Sequence, residues 1–180
     1  MAIIDIYTTN NKYDLIYADP PWPLKKILRK VRPNQKEFDY PIMSLKEISE
    51  LPVSKIADDN CFLFLWTTQK FLPMSFDIMA NWGFKYQRVI TWDKRNGLCL
   101  NGFHNRTEFL LFGYKGHIDL YPKQKAVPTI FSISSKHLRH SEKPKEIRDA
   151  ISIFGNKKIE LFAREKITNW DCWGNEVNDD

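Results

Sequence analysis

The stretch Tyr13-Asp14-Leu15-Ile16-Tyr17-Ala18-Asp19-Pro20-Pro21-Trp22 decides how this chain is expected to fold. Its first six residues form an almost wholly apolar run, which is typical of a strand buried on both faces of a parallel sheet. Pro20 and Pro21 have no N–H to donate to a sheet, so the strand is predicted to end before them. Asp19 then stands at the carboxyl end of a central strand, which is where open α/β sheets bind ligands.

This turn brings together a carboxylate, a stiff proline pair and an indole, a set that suits recognition of a flat ring carrying an amine. The amine of adenine is a poor nucleophile because its lone pair is delocalised into the ring. Hydrogen bonds from the amine to Asp19 and to a main-chain carbonyl freed by the proline turn favour the pyramidal amine that group transfer needs. Trp22 is predicted to be exposed and to stack on the base, a contact worth roughly 1–3 kcal/mol. The alternative is that Asp19 caps a turn and Trp22 is a core aromatic residue.

Composition points to one domain over residues 1–180, with a modest preference for anionic partners such as nucleic acid. The 27 Lys and Arg residues against 22 Asp and Glu give a net charge of +5. Three cysteines without a CxxC spacing and four scattered histidines indicate neither a disulfide framework nor a metal site. A reducing, cytoplasmic setting fits best. The sequence has no apolar run of about 18 residues, so membrane insertion is not expected.

Strand-like and helix-like segments alternate along the chain, which predicts a single α/β sandwich. A capping box at Ser44 opens a short helix, a second helix runs to about Asn81 and stops at Gly83, and a third runs from Pro144 to Gly155. After the first strand, further strands are predicted at residues 61–66, 84–92, 108–112 and 158–163. The segments 23–39, 94–106 and 122–139 are predicted to be irregular, and 170–176 to be a closing turn.

All three irregular segments are basic, and two of them are candidate substrate loops. The first carries Lys25, Lys26, Arg29, Lys30, Arg32 and Lys36. It is either a solvated loop or a mobile substrate loop whose cations meet phosphates, and its position directly after the candidate catalytic turn favours the second. The segment 94–106 is the other of the two, a polar, basic stretch.

Taken together, these residues resemble a known family, the DPPW-type adenine amino-methyltransferases. This family includes the eukaryotic messenger-RNA adenosine methyltransferase subunits and short bacterial and phage proteins. The resemblance covers nearly the whole chain and runs in order. The matching stretches are 18–22, 40–44, 62–66, 91–92, 106–108 with Gly113 and Gly116, 140–144, 160–164 and 170–176.

The resemblance implies a Rossmann-like methyltransferase domain with a mostly parallel central sheet. Its catalytic half precedes its cofactor half, as in permuted amino-methyltransferases, and the G-x-G-x-x-G fingerprint of dinucleotide folds is absent. The implied cofactor is S-adenosylmethionine. The implied catalytic residues are Asp19, Pro20, Pro21 and Trp22.

Other roles are carried over from the family onto matching positions. Lys143 matches a lysine that binds the cofactor carboxylate. Its position just before a predicted helix adds the attraction of the helix dipole for an anion. The alternative is that Lys143 is a capping or surface lysine. The implied cofactor-binding residues are Asp5, Ile6, Asp19, Ser141, Lys143, Phe162, Arg164, Asn175 and Glu176. Among them Asp5 and Ile6 would cradle the adenine, and the last three the ribose. The implied substrate-binding residues are Trp22, Tyr40, Lys94, His104 and Arg106.

The reaction implied by the resemblance is methyl transfer from S-adenosylmethionine to the N6 amino group of adenine in DNA. The alternatives are the same reaction on RNA and a non-catalytic, nucleic-acid-binding subunit of a methyltransferase complex. The intact turn at 19–22 and Lys143 disfavour the non-catalytic subunit. DNA is favoured because short prokaryotic relatives act mostly on DNA. The recognition sequence, and whether the chain forms a homo-oligomer or needs a partner subunit, are left open.

Overall fold

The computed structural model describes residues 1–24, 42–117, 126–138, 141–175 and 177, and in them it shows seven strands and four α-helices. The strands are β1 (Tyr13–Ala18), β2 (Ala57–Thr67), β3 (Lys85–Leu100), β4 (Phe103–Lys115), β5 (Ile130–Ser132), β6 (Lys158–Leu161) and β7 (Asp171–Trp173). The helices are α1 (Leu45–Ser49), α2 (Val53–Ile56), α3 (Leu72–Asn81) and α4 (Lys145–Ile151), and a 3₁₀-helix at Ser152–Phe154 continues α4. None of the described helices is long and apolar enough to cross a membrane.

The strands form one sheet in the order β5-β3-β4-β2-β1-β6-β7. Within the described residues β4 alone is reversed: it is antiparallel to β2 and β3, whereas the other neighbouring pairs are parallel. The predicted Rossmann-like, mostly parallel sheet is confirmed. In β1, Ala18 is in register with Leu65 on one side and Leu161 on the other. Asp19 therefore follows a central strand at its carboxyl end, as the sequence predicts.

Alternate residues of β1 enter two apolar layers on opposite faces of the sheet, because side chains along a strand alternate in direction. Ile16 and Ala18 belong to one layer, and Leu15 and Tyr17 to the other. Helical residues in the first layer are Ile48, Ile78 and Met79, and those in the second are Ile147 and Ile151. Both faces of β1 are thus covered, which explains why the run at 13–18 is almost wholly apolar.

The predicted helix boundaries that depend on local caps are confirmed. Ser44 Oγ accepts the main-chain N–H of Glu47, and the Glu47 carboxylate accepts the N–H of Ser44, which together form the predicted capping box. Gly83 has a φ of +86° and follows α3, at a position where an L-residue would be strained. Pro144 stands directly before the first residue of α4.

Two segments predicted to be irregular, and the predicted closing turn, contain strands instead. The segment 94–106 forms the outer part of a hairpin between β3 and β4. Its turn residues Asn101 and Gly102 have φ of +50° and +80°, as in a two-residue type I′ turn, and this dipeptide is a hairpin signal that could have predicted the strands. The strand β7 replaces part of the predicted closing turn, and β5 lies in the segment 122–139. Each of these two strands has three residues, which is too short to show an alternating pattern.

A buried ion pair connects α4 to β6. Arg148 Nη1 lies 3.3 Å from Glu160 Oε2, and the two side chains are only 14% and 13% exposed. Burial raises the pKa of Glu160 to about 7, against the opposing effect of Arg148. In the folded protein this carboxyl group therefore takes up a proton near neutral pH.

We expect this group to make the fold less stable as the pH rises. Protonated Glu160 favours the folded state. Its contribution to the free energy of unfolding is complete below the ordinary pKa of 4.5 and is lost as the pH rises through about 7. Its upper limit is about 3 kcal/mol. The free energy of urea unfolding should therefore depend less on pH in Glu160→Gln than in the wild type. The exposed Glu50 provides the control, since it pairs with Lys46 rather than with Arg148, and Glu50→Gln should keep the wild-type pH dependence. A Glu160→Gln profile parallel to that of the wild type would contradict the assignment.

Candidate active site

The carboxyl edge of the sheet borders a cavity that gathers residues from distant parts of the chain. Nine of the predicted site residues line it: Asp19, Pro20, Pro21, Trp22, Ser141, Lys143, Phe162, Arg164 and Asn175. Because β4 runs against the other strands, its amino-terminal half reaches the same edge, and Glu108 joins the lining. The fold thus brings the proline turn next to residues from the last third of the chain.

Lys143 stands at the centre of the charged groups in this cavity. Its Nζ donates to Asp19 Oδ2 at 2.8 Å and to the main-chain carbonyl of Ser141 at 3.0 Å, and lies 3.5 Å from Glu108 Oε2. The ammonium is also 5.5 Å from the centre of the Trp66 ring. The side chains of Lys143, Asp19 and Glu108 are 12%, 17% and 16% exposed, so little water screens their interaction.

Burial and pairing act in opposite directions on these groups. Burial raises the pKa of Asp19 above its ordinary value, although the nearby Lys143 ammonium opposes the shift. Burial lowers the pKa of Lys143, but the carboxylates of Asp19 and Glu108 outweigh it, and the pKa lies above its ordinary value. Lys143 therefore keeps its positive charge in the cavity. The Asp19 carboxylate next to it is a hydrogen-bond acceptor.

The proline turn after Asp19 is held by main-chain hydrogen bonds. The Pro20 carbonyl accepts the N–H of Trp22 at 2.8 Å, and the Pro21 carbonyl accepts the N–H of Met43 at 3.0 Å. Each proline carbonyl therefore already has one partner inside the protein. A carbonyl oxygen has two lone pairs, so each can still accept one further hydrogen bond.

Trp22 is buried, contrary to the prediction of an exposed indole. Only 5% of the residue is exposed, and its ring stacks on Phe71 with the ring centres 5.3 Å apart and the planes 14° from parallel. The indole N–H donates to the main-chain carbonyl of Trp66 at 3.1 Å. Trp22 lines the cavity as a residue of the core. Its burial agrees with the alternative prediction that it is a core aromatic residue.

An aromatic wall closes the side of the cavity next to β6 and β7. Phe162 packs edge-on against Trp173, with the ring centres 5.2 Å apart.

Phe162 and Ser141 have φ of +64° and +62°, in the left-handed region that L-residues rarely adopt. Such residues cost of the order of 1–3 kcal/mol each and cluster at functional sites. The strained backbone thus coincides with the lining of the cavity.

Three of the predicted cofactor residues are not part of the described lining. Asp5 accepts hydrogen bonds from the N–H of Tyr7 and the hydroxyl of Thr8, and Ile6 is completely buried in the core. The neighbouring Tyr7, which was not predicted as a site residue, packs edge-on against Trp173, with the ring centres 6.2 Å apart. Glu176 lies outside the described residues.

The predicted substrate residues of the β3–β4 hairpin bind other residues of the protein and do not line the cavity. Two nitrogens of Arg106 each donate to the Asp93 carboxylate at 2.7 Å. His104 Nε2 lies 2.8 Å from the carbonyl of Gly97, and Lys94 Nζ lies 3.1 Å from Glu108 Oε1. Lys94 therefore adjoins the cavity through Glu108, whereas the other two pairs stabilise the hairpin. Tyr40 and the first basic segment from residue 25 onward lie outside the described residues.

Several cavity residues were not among the predicted site residues: Leu24, Met43, Thr67, Thr68, Glu108, Ala163, Trp173 and Gly174. A sequence signal exists for two of them, since Thr67 and Thr68 follow a buried strand as Asp19 does. Glu108 belongs to the matching stretch 106–108 but was given no site role, because its approach to Lys143 and Asp19 depends on the reversed direction of β4. In the part of the chain that the structure describes, no group of three or more His, Cys, Asp or Glu residues could hold a metal ion.

The model of the MT-A70 family matches residues 13–176, a span that contains the whole described lining of the cavity. The chain belongs to the MT-A70 family. It is therefore a methyltransferase, and the family predicted from the sequence is confirmed.

Two groups of relatives share this match. The chain is 34% identical to the Type II methyltransferase M.MunI of Mycoplasma sp. over 187 residues, which cover 93% of this chain and 79% of M.MunI. It is 28% identical to the N(6)-adenine-specific methyltransferase METTL4 of Homo sapiens, over 92% of this chain and 37% of METTL4. It is 27% identical to METTL3 of Homo sapiens, an N(6)-adenosine-methyltransferase catalytic subunit, over 93% of this chain and 28% of METTL3. The MT-A70 chain thus spans most of M.MunI and well under half of the two human proteins.

The burial of Trp22 leads to a stability prediction. Trp22→Ala should lower the free energy of unfolding by about 3–5 kcal/mol, the range for truncating a core aromatic residue. Trp22→Phe loses the hydrogen bond to the Trp66 carbonyl and part of the ring's packing, and should lower the free energy of unfolding by less than Trp22→Ala does. Urea unfolding measures both, with Phe103→Ala as the control because Phe103 is 74% exposed. A Trp22→Ala protein as stable as the control would indicate a free stacking residue instead.

Proposed function

We propose that this MT-A70 methyltransferase transfers a methyl group from S-adenosylmethionine to the N6 amino group of adenine in DNA. The observation that carries the proposal is the pairing of Asp19 with Lys143 in the cavity at the carboxyl edge of the sheet. Asp19 is an acceptor for an amine, and Lys143 is a cation for a carboxylate. Both groups are nearly enclosed, as catalysis by electrostatic contacts requires.

The donor set of the cavity fits S-adenosylmethionine. The Lys143 ammonium suits its carboxylate, and the amide of Asn175, just after β7, suits its ribose hydroxyls. The aromatic pair Phe162 and Trp173 suits the flat adenine ring. Once bound, the cofactor supplies an electrophilic methyl group on a positively charged sulfur.

Asp19 and the proline turn act on the substrate amine. The carboxylate accepts one N–H of the amine, and the remaining lone pair of a proline carbonyl accepts the other, which localises the nitrogen lone pair for attack. A carboxylate with an ordinary pKa of about 3.9 is too weak a base to deprotonate a neutral amine, even when burial raises that pKa. Asp19 would therefore hold the N–H until the nitrogen has gained the methyl group, and its carboxylate could then accept the proton from the cationic nitrogen.

DNA is the proposed polymer because M.MunI, the relative matched over most of both chains, is a Type II methyltransferase. Short prokaryotic members of the DPPW-type family that the sequence resembles also act mostly on DNA. The net charge of +5 suits a polyanion of either kind. A target base inside a duplex must leave the stack to reach an enclosed amine acceptor, so the substrate is an unpaired or flipped adenine.

Expression in a host that lacks adenine methylation tests the function. We expect N6-methyladenine in the host DNA with the wild type, measured by mass spectrometry of DNA and RNA. Asp19→Asn should lower the signal by orders of magnitude while the protein stays folded, because Glu108 still pairs with Lys143. A signal confined to RNA would contradict the DNA assignment. A folded wild type that produces no N6-methyladenine in either polymer would contradict the reaction.

Lys143 should determine cofactor affinity. Lys143→Ala should weaken binding of S-adenosylmethionine by about 1.5–3 kcal/mol, the range for a hydrogen bond to a charged group. Calorimetry on the purified protein measures this change. Lys145 is exposed and is the first residue of α4, two positions after Lys143. Lys145→Ala therefore provides a matched control, and its affinity for S-adenosylmethionine should be unchanged. Equal dissociation constants for both variants would leave Lys143 with a structural role only.

A further inference from the structure

Thr68 carries a buried hydroxyl that has no hydrogen-bond partner among the described residues. The residue lines the cavity. Its neighbour Thr67 differs, because the Thr67 hydroxyl lies 2.6 Å from Ser75 Oγ. A buried hydroxyl without a partner costs about 1–3 kcal/mol. A ligand that fills the cavity is the remaining source of a partner for Thr68.

Thr68 lies next to the charged groups of the site. The pairing of β2 with β4 ends at Thr67 and Phe109, so Thr68 and Glu108 are the next residue on each side, and both line the cavity. Glu108 lies 3.5 Å from Lys143 Nζ, and the same nitrogen binds Asp19. Thr68 is therefore a lining residue just after the end of the strand next to the one that carries Glu108.

The target base needs a hydrogen-bond donor as well as acceptors. The amino group of adenine donates, whereas the ring nitrogen N1 beside it can only accept. The carboxylates of Asp19 and Glu108 only accept. The indole N–H of Trp22 and the hydroxyl of Thr67 are already bonded inside the protein. The ammonium of Lys143 is also a donor, but Asp19, the Ser141 carbonyl and Glu108 already surround it. Among the described residues next to these charged groups, Thr68 offers a side-chain donor for N1.

We propose that the Thr68 hydroxyl donates a hydrogen bond to N1 of the target adenine and is a specificity-determining residue. The inference rests on the proposed function, since it takes adenine as the substrate. N1 and the amino group form the Watson–Crick edge, which is the edge that enzymes read on a flipped base. Thr68 and Asp19 would then hold neighbouring atoms of the same edge.

The test compares three variants on adenine and 1-deazaadenine, with 7-deazaadenine as a third substrate that lacks a different ring nitrogen. The substrates are single-stranded DNA oligonucleotides, in a sequence that the wild type methylates in host DNA, with adenine, 1-deazaadenine or 7-deazaadenine at the target position. 1-Deazaadenine has a carbon in place of N1 and keeps the amine. Thr68→Val removes the hydroxyl, Thr68→Ser retains it, and Thr67→Val removes the neighbouring hydroxyl that has an internal partner.

With adenine, Thr68→Val should lower kcat/KM about tenfold, and Thr68→Ser should stay close to the wild type. With 1-deazaadenine, the wild type and Thr68→Val should be equal, because the acceptor is absent for both. Thr67→Val should change both substrates by the same factor. The unfolding midpoint of Thr68→Val should be no lower than that of the wild type, because no internal hydrogen bond is lost.

Equal losses with both substrates in Thr68→Val would overturn the inference, as would an unchanged rate with adenine. A loss that disappears with 7-deazaadenine instead of 1-deazaadenine would overturn the assignment of N1. These outcomes require a wild type that methylates adenine, so they leave the proposed function intact. A wild type that methylates no adenine would overturn the proposed function and, with it, this inference.

Discussion

The arrangement of the active site depends on the ion pair between Lys143 and Asp19. It joins the end of β1 to the residues before α4, and Glu108 adds β4 to the same group. Buried ion pairs are weak evidence for stability, because removing two charges from water costs much of what their attraction returns. The pair is better explained by function, since it fixes a carboxylate and an ammonium in a nearly enclosed space before any ligand binds. Charges fixed in advance need no reorganisation during the reaction.

The reversed strand β4 completes this group of charges. A wholly parallel sheet brings only carboxyl ends of strands to its ligand-binding edge, whereas β4 brings residues near its start. The reversal follows from the tight hairpin at Asn101 and Gly102, which returns the chain directly beside β3. Glu108 reaches Lys143 for this reason, and through Glu108 the cavity also connects to Lys94. A short turn far from the cavity therefore determines its second carboxylate.

Features fixed by short stretches of sequence were predicted well, and features fixed by distant partners were not. The end of β1, the capping box at Ser44 and the stop at Gly83 each depend on a few neighbouring residues. The position of β7 depends on pairing with β6, and no pattern in three residues shows it. The burial of Trp22 depends on Phe71, which the fold brings onto its ring. Family resemblance supplied the lining residues from Ser141 to Asn175, because no local pattern connects them to Asp19.

The burial of Trp22 changes the part that this residue can play in the catalytic turn. Its N–H binds the carbonyl of Trp66, whose own indole N–H donates to Tyr17 on β1. The Trp66 ring in turn faces the ammonium of Lys143. Trp22 thus ties the proline turn to the two central strands on which the charged groups depend. Under the proposed function Trp22 would be a positioning residue for Asp19, and other groups of the cavity would hold the target base.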